Sequence, residues 1–153
     1  MTERLFSKET FMPVRDAQAT WEGGLKDGKG SVKLGSGLFQ GSYSFGTRFE
    51  NTPGTNPEEL LGAAHAACFS MALSAGLGKN GFSPKSVHTV AKVTVEKVGE
   101  GFKITSIHLQ CDANVPNIDD KTFQQFAEGA KKGCPVSQAL AATPIELQAK
   151  LVK

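Results

Sequence analysis

The sequence holds only three cysteines, Cys68, Cys111 and Cys134, with no paired spacing among them. Such an odd, irregular set excludes the disulfide framework of a small secreted domain and leaves each thiol to catalysis, metal binding or plain burial. Strong charge of one sign is missing too: the formal net charge is +2, and only Lys131 and Lys132 place two basic residues side by side. The basic footprint of a nucleic-acid binder is therefore absent, and no nucleic-acid partner is expected. Met1 to Asp16 carries charges where a signal peptide needs an apolar run, so the expected location is the cytoplasm. No repeat, low-complexity stretch or linker interrupts the 153 residues. One α+β domain from Ala17 to Lys153 is expected, preceded by an N-terminal arm, Met1 to Asp16, to which no role is assigned.

Charge is missing altogether from Leu60 to Gly78. Just upstream, Asn56 suits an N-cap, Pro57 the first helical position, and Glu58 and Glu59 the positive end of a helix dipole. One long helix is predicted from Pro57 to a C-cap among Gly76–Gly81. Ala, Leu, Met and Phe fall on every side of its wheel, so the helix has no solvent face and must be wrapped. The small residues Gly62, Ala63, Ala66 and Ala67 would admit a second backbone closely. The length fits a membrane span, but a run of Ala, Gly and Ser around His65 lacks the Leu, Ile and Val that drive insertion. A buried core helix, and no membrane, is the expectation.

Around this helix the pattern alternates. Ala17–Glu22 and Gly30–Leu34 read as a hairpin turned near Asp27-Gly28, with Trp21, the only Trp, as a core anchor. Tyr43–Phe49 reads as a third strand, placing Arg48 opposite Tyr43, Phe45 and Phe49 by period two. Val87–Val98, with Val90, Val93 and Val95 as its apolar face, pairs through Gly99–Gly101 with Phe102–Val115. On that partner Ile107, Leu109, Cys111 and Ala113 share a face, which makes Cys111 a small buried hydrophobe. Asp119–Lys132 is an amphipathic helix carrying Phe123, Phe126, Ala127 and Ala130 on one stripe. Gly133 closes it, Cys134 caps a short helix begun by Pro135, and Ile145, Leu147, Ala149 and Leu151 alternate as a last strand.

Two thiols stand where packing is a poor explanation. Cys134 lies at a helix start, where unpaired N–H groups favour a thiolate. Cys68 lies mid-helix without such help, so a cation must be brought to it, and Arg48, held by Glu58 in a bidentate pair, is the candidate. Three chemistries fit these residue types. A thiol peroxidase needs an activated cysteine, an arginine and a second, resolving cysteine. A cysteine hydrolase would use His65, three residues before Cys68, as base. A zinc site could take His65, Cys68 and Cys134, one ligand short of a closed structural site. Against both uses, His65 also suits a plain buried histidine at a helix contact.

Thr47-Arg48-Phe49-Glu50, then Gly54 through Leu60, then Ala63-Ala64-His65-Ala66-Ala67-Cys68-Phe69-Ser70-Met71, and Gly133-Cys134-Pro135-Val136-Ser137-Gln138 together resemble the osmotically inducible protein C family. That family includes the organic hydroperoxide resistance proteins, and the likeness runs from about Ala17 to the C-terminus. It implies an intertwined homodimer of α+β subunits with two shared active sites. The implied activity is cysteine-based reduction of organic hydroperoxides, with hydrogen peroxide as a further substrate, in the response to oxidative and osmotic stress. It assigns the peroxidatic role to Cys68, the resolving role to Cys134, and the thiolate-stabilising pair to Arg48 and Glu58. A Cys68–Cys134 disulfide would then be reduced by an external dithiol, for example of the lipoyl type, with no cofactor and no metal. The Thr-Arg-Phe-Glu segment resembles the osmotically inducible branch, whereas Cys111 and the N-terminal arm match no family pattern. Phe69 and Met71, flanking Cys68, would suit a carbon-bearing substrate. A non-enzymatic hydroperoxide sensor using the same thiols is the second expectation, although no recognition domain accompanies them.

One distance bears on the sharing of sites. On a straight helix the backbones of Glu58 and Cys68 are about 15 Å apart at about 1.5 Å per residue, beyond the reach of a glutamate. Either the helix breaks near Gly62, or Glu58 serves the Cys68 of a second copy lying antiparallel to it.

Overall fold

The computed structural model describes Met12–Lys153; of the N-terminal arm, residues 1–11 lie outside the described residues. The chain forms two compact units, the first ending at Gly54 and the second spanning Thr55–Lys153.

In the first unit β1 (Ala17–Glu22), β2 (Lys29–Leu34) and β3 (Gln40–Tyr43) form an antiparallel sheet in the order of the chain. Trp21 is half-buried rather than central to a core. Its ring stands 5.5 Å from that of Tyr43, and both lie over Gly30, where a Cβ would fall 2.5 Å from the Tyr43 ring. The residue at that place must therefore lack a side chain.

The third strand is shorter and earlier than expected, and the segment after it is a helix, α1 (Phe45–Phe49). The cause is local. The Ser44 hydroxyl accepts from the Thr47 N–H at 3.2 Å and the Thr47 hydroxyl accepts from the Ser44 N–H at 2.8 Å, a reciprocal cap that closes a helical turn. Helical spacing puts Arg48 next to Phe49, its guanidinium 5.1 Å from the ring centroid, so the period-two separation of these two residues is overturned.

The second unit is built on α2 (Pro57–Lys79), capped by Asn56, whose side chain accepts the Glu59 N–H at 2.8 Å. The helix runs unbroken through Gly62. Its buried residues Gly62, His65, Phe69, Leu73 and Leu77 recur every three or four positions and form one face. Gly62 brings that face against β4 (Ser86–Val98), since a Cβ there would sit 3.3 Å from the Ala91 carbonyl oxygen. In length and composition α2 could cross a membrane; one of its faces is laid on β4. Within one chain only this face is covered. Ala63, Ala64 and Ala67 are exposed, and Met71 is 75% exposed.

β4 pairs antiparallel with β5 (Gly101–Asn114), with a bulge between Thr94 and Val95, and β6 (Ile145–Leu151) joins β5 in parallel. Val90 faces solvent with Lys92; the covered face of β4 is Val87, Thr89, Ala91, Val93 and Val95. The parallel connection requires a crossover, supplied by α3 (Asp120–Gly133) and α4 (Pro135–Ala139). The core lies where α2, β5 and α3 meet: Phe69, Leu73 and Leu77 against Ile107, Leu109 and Cys111, with Phe123 and Ala127 closing it. Each large side chain buried there contributes about 1.5–3 kcal/mol. Cys111, opposite Thr89 in the ladder, is the buried small hydrophobe its strand position predicts.

Candidate active site

Cys134 sits at the joint between α3 and α4. Pro135 drives the residue before it out of helical geometry, and Cys134 accordingly takes φ −57° and ψ 128°. Its N–H still closes the last turn of α3 on the Ala130 carbonyl at 2.9 Å, while its carbonyl accepts from Gln138 at 3.0 Å. The backbone is thus held on both sides, and the side chain is 0% exposed. Cys68 comes to it from the middle of α2, half-buried and, like Cys134, a free thiol. The two sulfurs stand within interaction distance of each other, each shifting the other's proton affinity.

The first N–H groups of a helix lack partners within it. Here the Val136 N–H turns to both sulfurs, and the N–H and hydroxyl of Ser137 turn to Cys134. Burial pushes the Cys68 thiol up, its contact with Cys134 pushes it further, and the Val136 N–H offsets only part of this. Burial pushes Cys134 up as well, but the Cys68 thiol and the donors of α4 outweigh it and bring it below the ordinary cysteine value. A mid-helix cysteine gains little from its own helix, as its position in the sequence implies.

His65 is fully buried and aims Nε2 at the Ser137 hydroxyl, 2.7 Å away, not at Cys68. Burial lowers its pKa. His65 thus meets Ser137, and among the described residues no three His, Cys, Asp or Glu side chains group to hold a metal. Ser137 is the residue whose part sequence reasoning missed. The signal was there in Cys-Pro-x-Ser, a hydroxyl on the third residue of a helix capped by cysteine, which folds back toward the cap.

Glu58 is 6% exposed in the first turn of α2, on the same unbroken helix as Cys68. Arg48 belongs to the first unit, where it lines a cavity of about 250 Å³ with Trp21, Tyr43, Phe45 and Phe49. Phe69, expected beside the substrate, instead points into the core at 0% exposure.

The family model described as OsmC-like protein matches residues 49–150. The chain is 56% identical over 129 residues to peroxiredoxin OsmC of Escherichia coli strain K12, covering 84% of this chain and 90% of that one. It is 31% identical over 87 residues to organic hydroperoxide resistance protein-like 2 of Staphylococcus epidermidis, covering 56% of this chain and 59% of the other. Among solved structures, the organic hydroperoxide resistance protein OhrB of Bacillus subtilis superposes with a TM-score of 0.68 at 25% identity, over 88% of this chain and 98% of that one. An OsmC-like protein from Mycoplasma pneumoniae gives 0.72 at 16% identity, over 94% and 100%, a likeness of fold.

Proposed function

Because this chain belongs to the OsmC-like protein family and is a thiol-dependent peroxidase, we propose that it reduces organic hydroperoxides to alcohols through Cys68 and Cys134. The Cys68 thiolate attacks the distal peroxide oxygen and becomes a sulfenic acid, and the alkoxide leaves as the alcohol once protonated. Cys134 displaces hydroxide from that sulfur to give a Cys68–Cys134 disulfide. An external dithiol restores both thiols. The observation that carries this reading is the direct contact of the two free thiols, Cys68 and Cys134, inside one unit.

Arg48, held by Glu58, supplies the cation that Cys68 lacks, and the aromatic cavity beside Arg48 suits the carbon chain of the substrate. The protein acts as a cytoplasmic homodimer with two shared sites. In support, α2 continues unbroken between Glu58 and Cys68, and its outer stripe of Ala63, Ala67 and Met71 is apolar and uncovered.

The test is repeated turnover. With dihydrolipoamide as dithiol, tert-butyl hydroperoxide is consumed catalytically and faster than hydrogen peroxide. Oxidation that stops after one equivalent would make the protein a sensor and not an enzyme. Arg48→Met raises the Cys68 pKa, because the thiolate loses its cation, and slows the first step. Alkylation rate against pH reads this directly, and an unchanged profile removes Arg48 from the site.

A further inference from the structure

His65 and Ser137 are the two most deeply buried polar side chains among the described residues, and the peroxide chemistry above uses neither. His65 lies three residues before Cys68 on α2, and Ser137 three residues after Cys134 on α4, and they meet at 2.7 Å. The same Ser137 hydroxyl reaches the Cys134 sulfur. Ser137 Oγ therefore connects His65 Nε2 with Cys134 Sγ.

A serine hydroxyl carries one proton, so the connection has a direction. If Ser137 donates to the sulfur, its oxygen accepts from a protonated His65 Nε2, and Nδ1 carries a bare lone pair. If the connection runs the other way, Nδ1 carries the hydrogen. Nδ1 is buried and has no hydrogen-bond partner among the described residues. A buried N–H without an acceptor is rarer in folded proteins than an unmet lone pair. The orphaned nitrogen therefore selects the direction that points protons at Cys134.

We propose that His65 and Ser137 form a donor relay that holds Cys134 as a thiolate for the resolving step. Ser137 touches the reacting sulfur, and His65 is a positioning residue acting through Ser137. The proposal rests on the reading that Cys134 resolves a Cys68 sulfenic acid. In that step an electron pair of the Cys134 sulfur forms the S–S bond as the S–O bond of Cys68 breaks. The departing hydroxide takes up the proton that Cys134 gave to solvent, leaving as water. Cys134 sulfur is oxidised and Cys68 sulfur reduced by the same amount. The neutral ring that burial enforces on His65 suits a donor and not a base. The groups acting on Cys134 are Cys68 from α2 and Ser137 and Val136 from α4, with no charged side chain among them.

Single-turnover measurements with one equivalent of tert-butyl hydroperoxide separate the two steps. In Ser137→Ala, disulfide formation slows at least ~10-fold, the loss expected for one hydrogen bond to a charged group, and it slows by more than hydroperoxide loss does. In a Cys68→Ser background, the pH titration of the buried Cys134 thiolate, read by ultraviolet absorbance against Cys68→Ser/Cys134→Ser protein, moves up by about one unit in Ser137→Ala, a tenfold fall in thiolate. His65→Leu shifts that titration likewise, and His65→Gln, which keeps an N–H donor, leaves it in place. An unchanged thiolate titration and unchanged disulfide formation in Ser137→Ala overturn the relay. A shifted Ser137→Ala with an unshifted His65→Leu, or with a His65→Gln that fails to rescue, overturns the part given to His65. Should His65→Leu not fold, His65→Gln must still match wild type. Wild-type protein that consumes no hydroperoxide would instead remove the peroxidase reading, and the thiolate titrations would test the relay all the same.

Discussion

Cys68→Ser protein will consume no hydroperoxide, whereas Cys134→Ser protein will complete one oxidation and then stall without turnover. The electrostatics inside the second unit taken alone favour the opposite roles, since Cys134 is the more acidic thiol and Cys68 the less. Access decides between them. A peroxide must reach the attacking sulfur in line with its O–O bond; Cys134 is sealed at 0% exposure while Cys68 is half-buried. A reactive cysteine needs both thiolate character and exposure, and Cys68 has the second and awaits a cation for the first. Without Cys134 the Cys68 sulfenic acid has no thiol to condense with, so further peroxide drives it to the sulfinic acid. Intact mass after one equivalent reads the outcome: one added oxygen on Cys134→Ser and none on Cys68→Ser. The reverse result would exchange the roles of the two cysteines.

Activity is expected to return when two dead chains are combined. Cys68→Ser chains and Glu58→Ala chains are co-expressed with different tags, and the mixed dimer is purified. Glu58 and Cys68 stand about 15 Å apart along the continuous α2, and no glutamate rotamer spans that. In an isologous dimer each Glu58 serves the partner's Cys68 and the contact is repeated in reverse, so one site of the mixed dimer holds both native residues. About half the wild-type rate per dimer follows from that two-fold symmetry. If Glu58 acted within its own chain, every site would lack one group and the rate would stay at the background of the parents.

The elements with strong local signals could be read in advance from the residues. α2 announces itself through Asn56, Pro57 and two glutamates, and β5 through Ile107, Leu109, Cys111 and Ala113 on one face, all of them buried in the fold. Tyr43–Phe49 misled because alternation of large and small residues counts for less over seven positions than a reciprocal cap between Ser44 and Thr47. Val90 was misplaced for a simpler reason: strict period two puts it with Lys92, whatever its hydropathy. The contact of Cys68 with Cys134 spans the unit, and no local pattern encodes it; only the family resemblance paired them. Ser137 lay inside the quoted motif, but its role depends on His65 meeting it from another helix.

The parallel seating of β6 on β5 has a consequence for the order of assembly. A parallel neighbour cannot be laid down as a hairpin, so the whole crossover must be in place before Ile145–Leu151 can pair. Cys134 rides on that crossover, tied to the sheet where the Ile107 N–H meets the Pro144 carbonyl at 2.9 Å. Pairing across so long a stretch is the slow class of folding event. Cys134 lies far along the chain from Cys68, on the crossover that this last pairing encloses. A chain whose crossover is not yet packed on α2 carries Cys68 without its companion, so a sulfenic acid formed there has no Cys134 thiol beside it to condense with.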